Sequence, residues 1–156
     1  MIAVIGLGAN LGDRLGALRA ATARIGELGA VRARSGVYET APVDAPPPSY
    51  LNAAIAIETT LSPEELMRAL LAIEASMGRV RAEKNGPRTI DLDVLWIEGV
   101  ARSSEELTVP HPRLTERAFA LGPLLEVAPD ARDPVGGQRY ADFALDRSSL
   151  RPWPSS

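Results

Sequence analysis

The sequence contains no cysteine, a single histidine and a single lysine, and aromatic residues make up only 4% of its 156 residues. The absence of cysteine excludes disulfide bonds, thiolate metal sites and a cysteine nucleophile, and one histidine cannot build a histidine-rich zinc site. No apolar run approaches the roughly 20 residues of a membrane helix, and the first residues lack the features of a signal peptide. We therefore expect a cytoplasmic protein without a membrane partner.

The charges are nearly balanced, with 17 basic and 20 acidic residues, a net charge of −3 and a pI near 5.2. A slightly acidic protein is a poor non-specific ligand for nucleic acid, so no nucleic-acid partner is expected. Hydrophobic residues make up 46% of the chain, which is typical of a folded globule. The length suits one domain. We predict a single domain over 1–156, acting as a monomer, with a peripheral tail from about residue 147.

Apolar periodicity predicts alternating strands and helices along the chain. Strands are predicted over 2–8, 31–39, 50–58 and 90–97, and helices over 13–28, 63–77 and 115–127. Ser62, Pro63 and Glu65 form a capping box with proline in the first helical position, whereas Gly29 and Gly78 are expected to end the first two helices. The order β-α-β-β-α-β, followed by C-terminal helices, is typical of a ferredoxin-like α+β sandwich, an antiparallel sheet with helices on one face.

The most specific local pattern is Asp91-Leu92-Asp93 inside the last predicted strand. Two aspartates at positions i and i+2 of a strand share one face, roughly 6.6–6.8 Å apart. One or two carboxylates, completed by water and substrate phosphates, form the usual environment of Mg²⁺. The alternative is a polar strand face in solvent, although two such carboxylates would repel each other without a partner.

Arginines are concentrated just before these aspartates, at positions 79, 81 and 88. Guanidinium groups and Mg²⁺ together suit a polyphosphate, because phosphoryl transfer depends mainly on positioning and on charge neutralisation. Gly86 and Pro87 predict a shaped turn immediately before Arg88. The alternative is a solvated basic loop without a ligand.

Glu74 falls inside the apolar stripe of the second predicted helix. A carboxylate in that position needs a partner or must stay at the edge of the stripe. We predict that an arginine of the following loop is the partner, and a location at the stripe's edge is the alternative.

Three further patterns are weak by themselves. Tyr50 and Asn52 share a strand face and suit a flat heterocycle. The tyrosine ring can stack on such a ligand, and the asparagine amide can form hydrogen bonds with its edge. The single histidine, His111, lies between two prolines, but a lone histidine is more often structural. Gly6 and Gly8 begin a stretch similar to a dinucleotide-binding fingerprint, yet its third glycine comes one residue late, and no acidic residue lies about 20 positions on in a following strand.

Taken together, these segments resemble the 6-hydroxymethyl-7,8-dihydropterin pyrophosphokinase family over about residues 5–129. The stretch Gly86-Pro87-Arg88-Thr89-Ile90-Asp91-Leu92-Asp93 is nearly diagnostic of the resemblance. The other matching stretches are Gly8 to Arg14, Tyr38 to Thr40, Tyr50 to Ala54, Ile73-Glu74, Gly78 to Arg81, Val109 to Pro112 and Arg117 to Phe119.

The resemblance implies an enzyme that transfers the two terminal phosphates of ATP, as a unit, to the hydroxymethyl group of the pterin and releases AMP. It implies a ferredoxin-like fold and two Mg²⁺ ions held by Asp91 and Asp93. By the same resemblance, Arg79 and Arg88 hold the triphosphate and act in catalysis together with the two aspartates, and Arg81 lies nearby.

The remaining roles implied by the resemblance divide between the two ligands. Thr108, His111 and Glu74 belong to the nucleotide side. The pterin-side residues implied are Gly8, Thr40, Val43, Tyr50, Asn52, Arg117 and Phe119, with the pterin stacked between Tyr50 and Phe119. Two rival functions stay open at this point: a small ferredoxin-like binding module, and a Mg²⁺-dependent nucleotide hydrolase. The acidic net charge and the low aromatic content count against a module that binds RNA.

Overall fold

The computed structural model describes residues 1–10, 12–40, 49–79 and 90–153. Its centre is an antiparallel sheet in the strand order β5-β1-β4-β3-β8, with β2 also paired to β4. The strands of this sheet are β1 (Ile2–Ala9), β2 (Ala30–Arg34), β3 (Val37–Thr40), β4 (Tyr50–Glu58), β5 (Asp91–Ile97) and β8 (Arg151–Trp153). A short separate hairpin joins β6 (Arg102–Ser103) to β7 (Thr108–Val109). The predicted α+β class and antiparallel sheet are confirmed.

In the described part of the chain three α-helices cover the sheet: α1 (Arg14–Ile25), α2 (Pro63–Glu74) and α3 (Ala118–Val127). The predicted capping box of α2 is confirmed, since the Ser62 and Glu65 side chains each accept a bond from the other's backbone N–H. The predicted ends of two helices are wrong. Gly26, not Gly29, caps α1, and α2 passes into a π-helical turn, Ala75–Arg79, instead of ending at Gly78.

Alternation along the strands divides the apolar side chains between two cores, one on each face of the sheet. Helices α1 and α2 pack on one face, against odd-numbered residues of β1 such as Ile5 and Leu7. Helix α3 packs on the other face, against Val4, Ala54 and Ala56. The odd-numbered residues of β4 face the first core and the even-numbered ones face the second, which agrees with the common face predicted for Tyr50 and Asn52. Helices α1 and α2 of the two β-α-β units thus cover one face of the sheet, and α3 from the C-terminal part of the chain covers the other.

Two predicted elements are interrupted in the structure. The single strand expected over 31–39 is two strands, because the Ser35 hydroxyl accepts the Ala54 N–H at 2.8 Å and the Gly36 N–H turns to the Glu126 carboxylate at 2.9 Å. The helix expected over 115–127 consists of a 3₁₀ turn, Leu114–Glu116, followed by α3. Side-chain bonds to the backbone replace regular pairing at the first of these breaks.

The C-terminal segment is tied more closely to the fold than a peripheral tail would be. Strand β8 pairs with β3 through Val37 opposite Trp153 and Glu39 opposite Arg151, and Leu150 is buried. Residues 154–156 lie outside the described residues. Among the helices that are described, none has the length and apolar composition needed to cross a lipid bilayer.

Tyr140 provides a test of the second core. Its side chain is buried, its hydroxyl has no hydrogen-bond partner in the described structure, and burial raises the pKa of this phenol to about 12. A buried unsatisfied hydroxyl costs stability, so Tyr140→Phe should raise the free energy of unfolding by about 1 kcal/mol. The matched control is Tyr38→Phe, which removes a hydroxyl bonded to Glu126 and should destabilise. Urea denaturation of both variants checks this, and a destabilised Tyr140→Phe protein would contradict it.

Candidate active site

The two aspartates of β5 lie opposite two glycines of β1. Asp91 pairs with Gly8 and Asp93 pairs with Gly6 in the antiparallel register. Because directly opposed residues point to the same face of a sheet, both carboxylates lie on the α3 side, as the Asp-x-Asp spacing predicts. Because glycine has no side chain, neighbouring side chains lie close over β1 at these positions, Leu95 over Gly6 and Asn52 over Gly8. The pairing therefore places the two acidic groups along one edge of a floor formed by β1 and by the side chains that lie over its glycines.

This floor continues across the sheet as a row of directly paired residues. Gly8 pairs with Asp91 on one side and with Asn52 of β4 on the other, and Asn52 pairs with Tyr38 of β3. With strands about 4.8 Å apart, the backbones of Asp91 and Asn52 are roughly 10 Å apart. A flat ring system over β4 and a phosphate chain over β5 can lie side by side at that separation.

Asn52 of this row and Thr40, two residues after Tyr38 on β3, form a buried polar pair. Each is 6% exposed, and the Asn52 Nδ2 donates to the Thr40 hydroxyl at 2.5 Å. A Cβ atom on Gly8 would lie 3.1 Å from the Asn52 Oδ1, tighter than most such contacts. Gly8 is thus the residue that lets the amide lie close over β1. Tyr50 pairs with Thr40, so Gly8, Thr40, Tyr50 and Asn52 are brought together as predicted.

Glu74 supports the aspartates from the edge of the sheet. It is the last residue of α2, is only 3% exposed, and its Oε2 accepts the backbone N–H of Leu92 at 2.7 Å. Leu92 lies between Asp91 and Asp93 on β5, the end strand of the sheet among the described residues, so the carboxylate satisfies a donor on the side of β5 away from β1. The alternative that Glu74 stays at the edge of the apolar stripe is wrong. The predicted arginine partner is one of the loop arginines Arg79, Arg81 and Arg88, whose side chains lie outside the described part of the structure.

His111 approaches the aspartates through a defect in β5. The register shifts between Val4 and Ile5 and leaves Leu95 without a cross-strand partner, and the Leu95 carbonyl accepts the His111 N–H at 2.9 Å. Burial lowers the pKa of His111, the Asp93 carboxylate opposes this effect, and the charge of Arg117 adds to it. The imidazole therefore lies within electrostatic range of both side chains and is neutral at pH 7.

The side chains at the start of α3 lie beside this histidine. The Arg117 guanidinium is 5.6 Å from the centre of the Phe119 ring, a cation–π distance, and Phe119 is half-buried against the second core. Thr108 lies exposed in β7, whose hairpin packs beside β5. Arg79 is the last residue of the π-helical turn, and Arg81, Arg88 and Val43 lie outside the described residues.

Two residues of this region are absent from the sequence-based predictions. Gly6 pairs with Asp93 as Gly8 pairs with Asp91, and the Leu95 side chain packs over Gly6. The signal in the sequence is that Gly-x-Gly and Asp-x-Asp have the same period of two. Asn10 follows β1 immediately, and its buried Oδ1 has no hydrogen-bond partner within the described residues. The glycines thus serve a sheet surface instead of the dinucleotide loop that their spacing resembles.

Comparison with known proteins identifies the class. The model of the 7,8-dihydro-6-hydroxymethylpterin-pyrophosphokinase (HPPK) family matches residues 4–129. The 2-amino-4-hydroxy-6-hydroxymethyldihydropteridine pyrophosphokinase of Methylorubrum extorquens is 44% identical over 153 residues, covering 95% of this chain and 96% of that protein. The Bacillus subtilis protein of the same name is 44% identical over 155 residues, covering 97% and 90%.

Solved structures support the same fold. An HPPK-DHPS structure in complex with substrates matches with a TM-score of 0.73 and 12% identity over 97% of this chain, which spans 46% of that longer chain. Plasmodium falciparum HPPK-DHPS with pteroate matches with a TM-score of 0.70 and 16% identity, over 91% of this chain and 41% of the other. The ferredoxin-like prediction is confirmed.

The chain is therefore an enzyme of the diphosphate-transferring class, a pyrophosphokinase. It belongs to the 7,8-dihydro-6-hydroxymethylpterin-pyrophosphokinase family, whose members are transferases of folate biosynthesis. The family resemblance seen in the sequence is thereby confirmed, and the rival interpretations as a binding module or a nucleotide hydrolase are set aside.

Proposed function

We propose that this protein transfers the terminal diphosphate of ATP to the hydroxymethyl oxygen of 6-hydroxymethyl-7,8-dihydropterin, with Mg²⁺, and releases AMP. The observation that carries the proposal is the row from Asp91 through Gly8 to Asn52, which sets an acidic edge beside polar and aromatic side chains. The family name supports the pterin as acceptor. We further propose that 1–156 is one catalytic domain, since β8 returns the C-terminal segment to the same sheet.

The acidic edge fits a hard divalent cation. Its donors are carboxylate oxygens, which Mg²⁺ prefers, and Asp91 and Asp93 project from one face of one strand. Within the described residues no cluster of three acidic, histidine or cysteine side chains forms at any position. A set of two carboxylates leaves coordination positions for phosphate oxygens and water, as a nucleotide-bound ion requires. Asp91 and Asp93 would hold the Mg²⁺, which supplies charge neutralisation of the phosphate oxygens when bound.

The reaction is a displacement at the β-phosphorus. The hydroxymethyl oxygen forms a bond to this phosphorus, the bond from the phosphorus to the α,β-bridging oxygen breaks, and AMP leaves with that oxygen. The proton of the alcohol is released to water. An alcohol held in line with the phosphorus needs little activation, because positioning alone supplies a large part of the rate. The main contribution of the protein is therefore to hold ATP and the pterin at a fixed separation.

On the nucleotide side, the Nε2 of His111 is available to donate a hydrogen bond. Its Nδ1 accepts the backbone N–H of Arg113 at 3.2 Å, so the neutral ring carries its proton on Nε2. That N–H can donate to a phosphate oxygen near Asp93 without adding a second fixed charge. We propose Arg79, Arg81, Arg88, Thr108 and Glu74 as the other nucleotide-side residues.

On the pterin side, buried polar atoms and aromatic rings recognise a flat heterocycle. The Asn52 amide, with Nδ2 held by Thr40, presents its Oδ1 over Gly8. This fixed carbonyl can accept an N–H from the ring edge, because Thr40 determines its orientation. We propose that Tyr50 and Phe119 stack on the two faces of the pterin, and that Val43 and Arg117 complete this side.

A product assay tests the proposal directly. The protein is incubated with MgCl₂, ATP and the dihydropterin alcohol, and nucleotides and pterins are separated by chromatography. AMP and pterin diphosphate should appear in equal amounts, and only when all components and Mg²⁺ are present. ADP as the nucleotide product would reject diphosphate transfer, and equal AMP formation without the pterin would identify a hydrolase instead.

A further inference from the structure

Arg14, the first residue of α1, connects three distant parts of the chain. Its Nη1 donates to Glu39 Oε2 at 3.1 Å, to the Ser49 carbonyl at 3.0 Å and to the Ser49 hydroxyl at 3.1 Å. The Ser49 hydroxyl in turn donates to Glu39 Oε2 at 2.8 Å. The Arg14 and Glu39 side chains are only 19% and 20% exposed. We call this mutually bonded set of Arg14, Glu39 and Ser49 the Arg14 clasp.

Two residues of the C-terminal strand β8, Arg151 and Trp153, also contact the clasp. The Arg14 guanidinium is 5.0 Å from the centre of the Trp153 ring, and the Arg151 Nη2 is 3.4 Å from the second Glu39 oxygen. The hydrogen bond from Ser49, and then that from Arg14, lower the pKa of Glu39, so it is charged at pH 7. A network that engages both oxygens of a half-buried carboxylate orders its members more than one exposed ion pair does.

The clasp lies immediately beside two residues of the pterin side. Glu39 precedes Thr40 at the end of β3, and Ser49 precedes Tyr50 at the start of β4; Thr40 and Tyr50 pair with each other. Residues 41–48 connect these two strand ends, so Arg14 bonds to a residue on each side of the connection. Thr40 holds the amide of Asn52, and any shift of this strand end therefore moves the amide.

Strand alternation separates the Arg14 clasp from the pterin-side residues, so an effect of Arg14 on them would pass through the backbone. Glu39 pairs with Leu51, which is buried in the core under α1. The neighbouring pair, Thr40 and Tyr50, faces the opposite side, toward α3. The clasp and the pterin-side residues thus lie on opposite faces of the same strand ends.

We propose that Arg14 is a positioning residue for the pterin half of the site, with Glu39, Ser49 and Trp153 as its partners. This inference rests on the proposed function, because it assigns the pterin to Thr40, Tyr50 and Asn52. The clasp sets the spacing and orientation of β3 and β4 where their side chains meet the ring. The nucleotide side lies on β5 and beyond, two strands away, and does not depend on it.

The test compares the KM for the dihydropterin with the KM for ATP in the Arg14→Met variant. We expect the KM for the dihydropterin to rise about tenfold, as for a small displacement of binding groups, with the KM for ATP within about twofold of wild type. Arg14→Lys keeps the positive charge but lacks the planar guanidinium group with its several donors, so its KM for the dihydropterin should rise by an intermediate amount. The matched control is Arg32→Met, which removes an exposed arginine–glutamate pair with Glu58 at the other end of β4, and it should change neither constant.

Hydrogen exchange at the amides of Thr40, Tyr50 and Asn52 provides a readout that is independent of turnover. Exchange should accelerate in Arg14→Met and in Ser49→Ala, the milder variant for use if Arg14→Met does not fold, and not in Arg32→Met. Unchanged exchange and an unchanged pterin KM in a folded variant would overturn the proposal, as would an equal rise in both constants. If wild-type protein forms no AMP, the proposed function fails, whereas the exchange data still decide whether the clasp orders these strands.

Discussion

Replacing Asp93 by asparagine is expected to reduce kcat for AMP formation at least about a thousandfold, equivalent to about 4 kcal/mol of transition-state stabilisation. The Asp93 side chain is exposed and stands opposite Gly6, so the substitution removes a charge without opening a cavity. The carboxylate charge is needed to hold a divalent cation, and the neutral amide is a much weaker ligand. Initial rates over a magnesium titration, with the thermal midpoint measured alongside, check the prediction.

The matched control is Asp142→Asn, which makes the same chemical change at an exposed position in the C-terminal region. It should keep the wild-type rate and the wild-type dependence on Mg²⁺. Wild-type turnover in Asp93→Asn, with an unchanged magnesium dependence, would remove Asp93 from the site. A lowered thermal midpoint would show that the substitution had acted through the fold.

Replacing Glu74 by alanine is expected to lower the free energy of unfolding by about 3 kcal/mol. The side chain is buried and accepts the Leu92 N–H at 2.7 Å, so its loss leaves a donor unsatisfied and a void at the end of α2. Because Leu92 lies between the two aspartates, the variant should also need more Mg²⁺ for half-maximal rate. Urea denaturation and a magnesium titration measure the two effects.

Two variants make this second prediction specific. Glu74→Gln keeps an acceptor oxygen of the same shape and should lose less stability than Glu74→Ala. Glu98→Ala, at an exposed turn directly after β5, should remain within about 0.5 kcal/mol of wild type, as surface substitutions usually do. Equal stabilities of Glu74→Ala and Glu98→Ala would show that the Leu92 bond contributes nothing measurable.

The features predicted correctly from the sequence are those determined by neighbours in the chain. The capping box needs only Ser62 and Glu65, three residues apart. The two faces of β4 follow from alternation between residues 50 and 58, and the common face of Asp91 and Asp93 follows from the same period of two. In each case the interacting groups are separated by a few residues, so their geometry follows from helix or strand formation alone.

The features predicted wrongly depend on contacts between distant residues. The break at Ser35 and Gly36 requires Ala54 and Glu126, which no local pattern can indicate. Gly26 caps α1 before Gly29 is reached, and a Cβ on Gly29 would approach the Glu58 carbonyl oxygen to 2.3 Å. Gly29 is thus required for close packing beside β4, not for the end of a helix.

By itself, the sequence determined the fold class, the family and the chemical types present at the site, because these depend on local periodicity and on short motifs. Only the tertiary structure decided that Gly8 lies between Asp91 and Asn52, that His111 reaches β5 at a bulge, and that Arg14 joins the ends of β3 and β4. These arrangements depend on register and on contacts between residues far apart in the chain. Such contacts are fixed only when the sheet assembles and its two faces are covered by different helices.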